Sequence, residues 1–127
     1  SISDTLGVAA PVDVTRVLAA LAAGGIGADV VALHLHDTRG TALANVMAAM
    51  ELGVRGFDAS AGGTGGSPYA PGSAGNLATE DLVYLLDRQG VPSGVDLEGV
   101  LTAARFIASQ LGGEVGSKVG RAGAWPP

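Results

Sequence analysis

Apolar residues recur along the chain with two spacings, one typical of helices and one typical of strands. Four segments place them three and four positions apart, which predicts amphipathic helices. These helices begin at Pro11, near Leu43, after an N-cap at Thr79 and near Asp96, and they end at Gly24, Gly53, Gly90 and Gly112. Shorter runs, of strand length and bounded by turn residues, predict strands at Ser1–Thr5, Val30–His36 and Val54–Ser60.

Strands and helices alternate in this prediction, and a further helix follows the third unit. Alternation is typical of right-handed βαβ units on a parallel sheet, so we expect an α/β fold with one structural unit over residues 1–127. A closed eight-stranded βα barrel needs about 250 residues, so this chain cannot close one alone. We expect the C-terminal part of a longer protein, with a complete small domain as the alternative.

Three βα units alone would leave two open sheet edges and, we expect, an apolar inner face. Exposed strand edges pair readily with strands of other chains. We therefore predict an oligomer, or a complex with the part of the fold that this chain lacks.

The composition of the chain excludes several classes of protein and site. Hydrophobic residues make up 47% of the chain and the net charge is −5, a balance that excludes an acidic disordered segment. The absence of cysteine excludes disulfides, thiolate metal sites and a cysteine nucleophile. With 7 Lys and Arg residues against 12 Asp and Glu, we expect no nucleic-acid partner. No apolar run approaches the roughly 18 residues of a membrane span, and no signal peptide is visible, so we expect no membrane partner.

The two histidines of the chain, His34 and His36, are two positions apart at the end of the second predicted strand. Residues i and i+2 of a strand point to the same face, roughly 6.5–7 Å apart, so both imidazoles could bind one metal ion. They could equally line a polar mouth without a metal.

Asp37 could orient a histidine or cap the next helix. Asp4, at the end of the first strand, could bind the metal, position a substrate hydroxyl or cap a turn.

A glycine-rich stretch over residues 62–76 follows the third predicted strand. It has no lysine and does not match the phosphate-binding or dinucleotide-binding glycine motifs. Long stretches without regular structure are uncommon in compact domains unless they are functional. We therefore expect this stretch to form a lid that covers a bound ligand and contacts it through Ser67, Tyr69 and Asn76. An ordinary surface loop is the alternative.

Three segments together resemble one family, the 3-hydroxy-3-methylglutaryl-CoA (HMG-CoA) lyases, over residues 1 to about 120. They are Ser1–Val8, Leu33–Asn45 and Gly65–Val83. The His-x-His-Asp motif is shared with related metal-dependent acyl-CoA barrels. The loop with Pro-Tyr-Ala, followed by Gly-Asn-Leu-Ala-Thr-Glu-Asp, is more specific for the lyases.

The resemblance implies the C-terminal part of a (βα)8 barrel, with strands six to eight present. It implies Mg²⁺ or Mn²⁺ as the cofactor and an acyl-CoA substrate that undergoes retro-Claisen cleavage to acetyl-CoA and acetoacetate. The site residues that it implies are His34, His36 and Asn76 for the metal, Ser67, His34 and Asp4 for catalysis, and Tyr69, Thr38 and Gly66 for substrate binding. Glu80 matches a carboxylate that follows the loop in the family.

The chain departs from the family pattern at two places. Ser67 stands where the family has a catalytic cysteine, and an aliphatic hydroxyl is a far weaker acid than a thiol, whose pKa is about 8.5. The strand that supplies a catalytic Arg and a metal-binding Asp in the family is not in this chain. We therefore expect the chain alone to be weakly active or inactive.

Two alternatives to HMG-CoA cleavage stay open. One is a related carbon–carbon lyase or condensing barrel with another acyl-CoA, and the other is a non-catalytic partial-barrel subunit or remnant. Arg39, Lys118 and Arg121 are candidate contacts for the CoA phosphates, although solvated surface charge explains each of them equally simply. We expect a cytoplasmic protein, or a mitochondrial one if the source is eukaryotic.

Overall fold

The computed structural model describes residues 1–66, 72–114 and 116–125 of the chain. Strands and helices alternate as predicted. The elements are β1 (Ile2–Asp4), α1 (Pro11–Ala23), β2 (Ala32–Leu35), α2 (Ala42–Glu51), β3 (Gly56–Asp58), α3 (Thr79–Arg88), α4 (Leu97–Leu111) and α5 (Lys118–Ala122). Short 3-10 turns lie at Ala28–Val30 and Ala61–Gly63. The described helices include none that is long and apolar enough to cross a membrane.

The three strands form a parallel sheet in the order β1-β2-β3. Leu33 and Leu35 of β2 are buried on the face that the helices cover, where they meet Val14 of α1 and Val46 of α2. The core therefore lies between the sheet and its helices, the arrangement expected of βα units.

The other face of the sheet is polar, and the prediction of an apolar inner face was wrong. Successive strand residues point to opposite faces, so the register aligns Ser3, His34 and Asp58 in one row opposite the leucines. The Ser1 hydroxyl donates to Asp58 Oδ2 at 3.1 Å and thus links the first and third strands across this face. The two leucines of β2 lie on the helix side, which leaves His34 and the small side chain of Ala32 on the inner side.

The strands are shorter than predicted, and the C-terminal half of the chain differs from the prediction at one helix start and by one additional helix. Ala78, not Thr79, is the N-cap, and α3 begins at Thr79. The reason is a bridge between Ser60 and Ala78, together with a bond from the Thr79 N–H to the Ser60 carbonyl, which hold the chain extended up to Ala78. The short helix α5 was not predicted; it begins after Ser117, whose hydroxyl accepts from the Gly120 N–H.

Candidate active site

His34 and His36 lie at the carboxyl end of β2, where parallel βα folds place their active sites. Their ring centroids are 5.4 Å apart and the rings are tilted by 56°. His36 is buried and the side chain of His34 is about one third exposed, at 36%. His34 Nδ1 lies 3.5 Å from Asp58 Oδ2 on the neighbouring strand. The structure thus brings both imidazoles together, with a carboxylate beside the first.

The end of the glycine-rich stretch returns to the sheet beside His36. Asn76 forms an antiparallel bridge with His36. The Asp37 N–H donates to the Gly75 carbonyl at 3.1 Å, and the Leu77 N–H donates to the Leu35 carbonyl at 2.9 Å. The side-chain amide of Asn76 donates from Nδ2 to the Thr64 carbonyl at 2.9 Å, which fixes its orientation. Asn76 is therefore brought next to His36, and its role as a metal ligand stays a prediction.

Two buried polar atoms of this pair have no hydrogen-bond partner. They are His36 Nδ1 and Asn76 Oδ1. Buried polar atoms are almost always paired. Thr41 Oγ1 and Asn45 Oδ1 also lack a partner, and what distinguishes His36 and Asn76 is that the two residues face each other in a bridge at the carboxyl end of β2. Imidazole nitrogens and amide oxygens both bind divalent cations.

The described residues hold no cluster of three His, Cys, Asp or Glu side chains spaced to bind a metal. The side chains of two histidines and one asparagine could therefore supply some of the ligands of a divalent cation, and the other ligands would come from elsewhere.

Burial lowers the pKa of His36 from its usual value of 6.5, and the neighbouring His34 lowers it further, while Asp4 opposes the shift. Desolvation disfavours the charged imidazolium. The ring therefore stays neutral at physiological pH, and a neutral imidazole is the form that binds metals.

The lowered pKa of His36 predicts a pH-dependent stability. Just below pH 6.5 the unfolded chain binds a proton at this residue and the folded chain does not. The free energy of unfolding should therefore fall as the pH falls from 6.5 to the lowered pKa, and above 6.5 this residue should have no effect. Urea unfolding between pH 5 and 8 tests this: His36→Gln should remove the decline, whereas His34→Gln should retain most of it because burial is the larger cause. An unchanged decline in His36→Gln would contradict the assignment.

Asp4 is the last residue of β1, and its side chain contacts the loop that follows. Its carboxylate accepts from the N–H groups of Val8 at 3.1 Å and Ala9 at 2.9 Å. The register sets Asp4 beside Leu35, on the helix side of the sheet rather than beside His34. Of the three roles left open by the sequence, turn capping is the one that these contacts describe. A catalytic role for Asp4 stays a prediction.

Asp37 is engaged with the start of the next helix. Its Oδ1 accepts from the N–H of Ala42, the first residue of α2, at 3.0 Å. Its Oδ2 accepts from Lys118 Nζ. Of the two alternatives for Asp37, the capping role is therefore the one that the structure displays.

The candidate substrate and phosphate contacts are placed as follows. The Thr38 hydroxyl lies 3.3 Å from the Ser73 hydroxyl, close to the returning loop. Arg39 donates to the carbonyls of Leu6 at 3.0 Å and Gly7 at 3.2 Å, and so joins the loops after β1 and β2. Gly66 is exposed and Arg121 is exposed on α5. Ser67 and Tyr69 lie outside the described residues.

A buried network behind the site escaped the sequence analysis. Both oxygens of Glu80, which is fully buried, accept from the Gly62 N–H at 3.0 Å, and Glu80 Oε1 also accepts from the Ser117 hydroxyl at 2.5 Å. Asp81 accepts from the N–H groups of Lys118 at 3.1 Å and Val119 at 2.7 Å. The sequence suggested only that these acids favour a helix N-terminus. The hydrogen bonds that these two acids accept come from residues 37 and 38 positions further along the chain, which local sequence patterns do not predict.

Comparison with known proteins adds independent findings. The model of the HMGL-like family matches residues 1–107. The chain is 53% identical over 112 residues to a hydroxymethylglutaryl-CoA lyase of Bacillus subtilis, a match that covers 88% of the chain and 37% of that relative. It is 43% identical over 122 residues to an (R)-citramalyl-CoA lyase of Chloroflexus aurantiacus, which covers 96% of the chain and 38% of that relative.

A solved structure agrees with these matches. The crystal structure of the Bacillus subtilis HMG-CoA lyase superposes with a TM-score of 0.89 at 49% identity, covering 94% of the chain and 40% of that structure. The chain thus spans about two fifths of the length of the proteins it matches. The lyase structures are TIM barrels, so the predicted partial (βα)8 barrel with parallel strands is confirmed.

Proposed function

The chain belongs to the HMGL-like family, and from that premise we propose that it forms the metal-binding end of a divalent-cation-dependent acyl-CoA lyase. The proposed reaction is retro-Claisen cleavage of HMG-CoA to acetyl-CoA and acetoacetate. The observation that supports it most is the unpaired, buried couple of His36 Nδ1 and Asn76 Oδ1 at the carboxyl end of the sheet.

His36, Asn76 and His34 would hold the cation, Mg²⁺ or Mn²⁺. When bound, such a cation supplies Lewis-acid polarisation of a hydroxyl and a neighbouring carbonyl or carboxylate oxygen. His34 Nδ1 faces Asp58, which leaves Nε2 of the same ring for the cation or for the substrate hydroxyl. The neutral ring of His36 keeps a lone pair for ligation. Two roles are taken from the family resemblance alone: Asp4 beside the substrate, and Tyr69, Thr38 and Gly66 as contacts of the acyl-CoA.

The remaining ligands and strands would come from a second polypeptide segment. The outer edges of β1 and β3 have no partner strand among the described residues. An apolar cleft beside β1, lined by Ile2, Val14 and Leu33 among others, adjoins the first of these edges. We propose that the N-terminal part of a lyase barrel pairs there, in the cytoplasm of a bacterium or in mitochondria. Sedimentation of the chain together with that segment should give a complex, and separate monomers would contradict it.

Reconstitution tests the activity. The full chain is mixed with the N-terminal part of the Bacillus subtilis lyase and Mn²⁺, and acetoacetate release from HMG-CoA is measured. We expect product that requires both parts and is lost in His36→Ala. No product, even with Ser67→Cys, would refute HMG-CoA cleavage and favour the non-catalytic partial barrel.

A second substrate is favoured by one specific observation, the 43% identity to an (R)-citramalyl-CoA lyase. Enzymes of this chemistry share bond cleavage next to a hydroxyl-bearing carbon, and Ser67 could suit another acyl group. The same reconstituted sample should be offered citramalyl-CoA and further 3-hydroxyacyl-CoA thioesters. Faster turnover of one of these than of HMG-CoA would replace the first proposal by the second.

A further inference from the structure

The C-terminal segment from Gly116 to Val119 contacts the back of the candidate metal site at several points. The Gly116 N–H donates to the Gly62 carbonyl at 3.0 Å. Ser117, which is 1% exposed, donates to the buried carboxylate of Glu80. A small polar cavity lies between this segment and the site, and its lining includes Asn76, Asp37 and Lys118.

Lys118 connects two acidic side chains on different elements. Its ammonium group contacts Oδ2 of Asp37, directly after His36, and lies 3.9 Å from Oδ2 of Asp81 on α3. The side chains of Asp37 and Asp81 are only 12% and 4% exposed, so the cation neutralises two largely buried carboxylates. Uncompensated buried charge is strongly unfavourable. Lys118 thus adds an ionic contact to the hydrogen bonds that already hold Asp37 through Ala42 and Gly75.

Ser117 supports the Asn76 side of the His36–Asn76 pair. Its hydroxyl holds Glu80, and Glu80 in turn holds the Gly62 amide at the start of the glycine-rich stretch. That stretch continues to Thr64, whose carbonyl orients the Asn76 amide. The histidine side of the pair is thus supported by Lys118 and the amide side by Ser117.

We infer that Ser117 and Lys118 are positioning residues for the His36–Asn76 pair, acting through Glu80 and Asp37. Their role in catalysis rests on the proposed function, but the positioning itself does not. Neither residue contacts the reacting atoms by this account. Each sets the spacing of two groups that must meet one cation, and small errors in such spacing lower affinity and rate strongly.

Amide hydrogen exchange on the full chain tests the positioning without any activity. The reporters are the Asp37 and Leu77 amides, which join β2 to the Asn76 segment, and the reference is the amide of buried Leu18 in α1. In Lys118→Met we expect exchange at the reporters to rise about tenfold while Leu18 stays unchanged. Lys118→Arg should restore most of the protection, and Arg121→Met on the same helix should change nothing.

For Ser117→Ala we expect faster exchange at Gly62 and a shifted Asn76 side-chain amide resonance, with Ser117→Thr closer to the original. Equal acceleration at Leu18, or no change at the reporters, would overturn the inference. Mn²⁺ binding to the same variants, each reconstituted with the N-terminal part of the Bacillus subtilis lyase, separates the two proposals. If the original reconstituted barrel binds no Mn²⁺ but the reporters respond, the positioning stands and the metal proposal fails. If Mn²⁺ binds to Lys118→Met and Ser117→Ala as tightly as to the original, the positioning role is wrong.

Discussion

Replacing Gly75 with alanine is expected to destabilise the chain by about 3 kcal/mol and to displace Asn76. Gly75 has a φ of +99°, and an added Cβ would collide with the Gly63 carbonyl oxygen and lie 2.6 Å from that of Gly65. Left-handed backbone costs an L side chain about 1–2 kcal/mol, and overpacking adds about 1–3 kcal/mol. The Gly75 carbonyl also accepts from Asp37, so movement at this residue would separate the Asn76 segment from β2.

Gly90→Ala is the matched control for this prediction. Gly90 also has a positive φ, +71°, but nothing lies within 4 Å of an added Cβ. It should therefore show the backbone strain without the collision, at about 1 kcal/mol. Urea unfolding gives both free energies, and the chemical shift of the Asn76 side chain reports the displacement. Equal losses in the two variants would mean that the close approach of Gly75 to the loop carbonyls does not limit this position.

The order of the elements could be predicted because it depends on local patterns. The apolar spacing of α1 and α2 and the glycines that follow them gave boundaries within one or two residues of Pro11–Ala23 and Ala42–Glu51. The strands came out shorter than predicted: the run Val30–His36 forms only Ala32–Leu35. An apolar run predicts burial, but a residue belongs to a strand only where it pairs with a neighbouring strand. Val30 lies in a 3-10 turn instead.

The candidate site was predictable only in part. The His-x-His spacing placed both imidazoles at one end of β2, and the family resemblance added Asn76. The polar inner face depends on register between strands, since Ser3, His34 and Asp58 are far apart in sequence. Asp4 shows the same limit, because its loop contacts with Val8 and Ala9 could not be told from a substrate contact by spacing.

Replacing Ser67 with cysteine is expected to raise acetoacetate release by the reconstituted barrel about 10²–10⁴-fold, the range typical of a positioned acid or base. In the proposed reaction, cleavage of the carbon–carbon bond would leave an acetyl-CoA enolate that needs a proton. A thiol with a pKa of about 8.5 can deliver it at neutral pH, and an aliphatic hydroxyl cannot do so comparably. Ser109→Cys on the exposed face of α4 is the control for a thiol elsewhere and should leave the rate unchanged.

The pH profile separates proton donation from a mere change of shape at position 67. A thiol donor works only while it is protonated, so the Ser67→Cys rate should decline as the pH rises through about 8.5. The serine chain should lack that decline, since its hydroxyl stays protonated throughout. A rate gain without the new decline would mean that the sulfur improves packing around the acyl group rather than proton transfer. Product from HMG-CoA at the same rate with cysteine as with serine would contradict the proton-donor role of position 67.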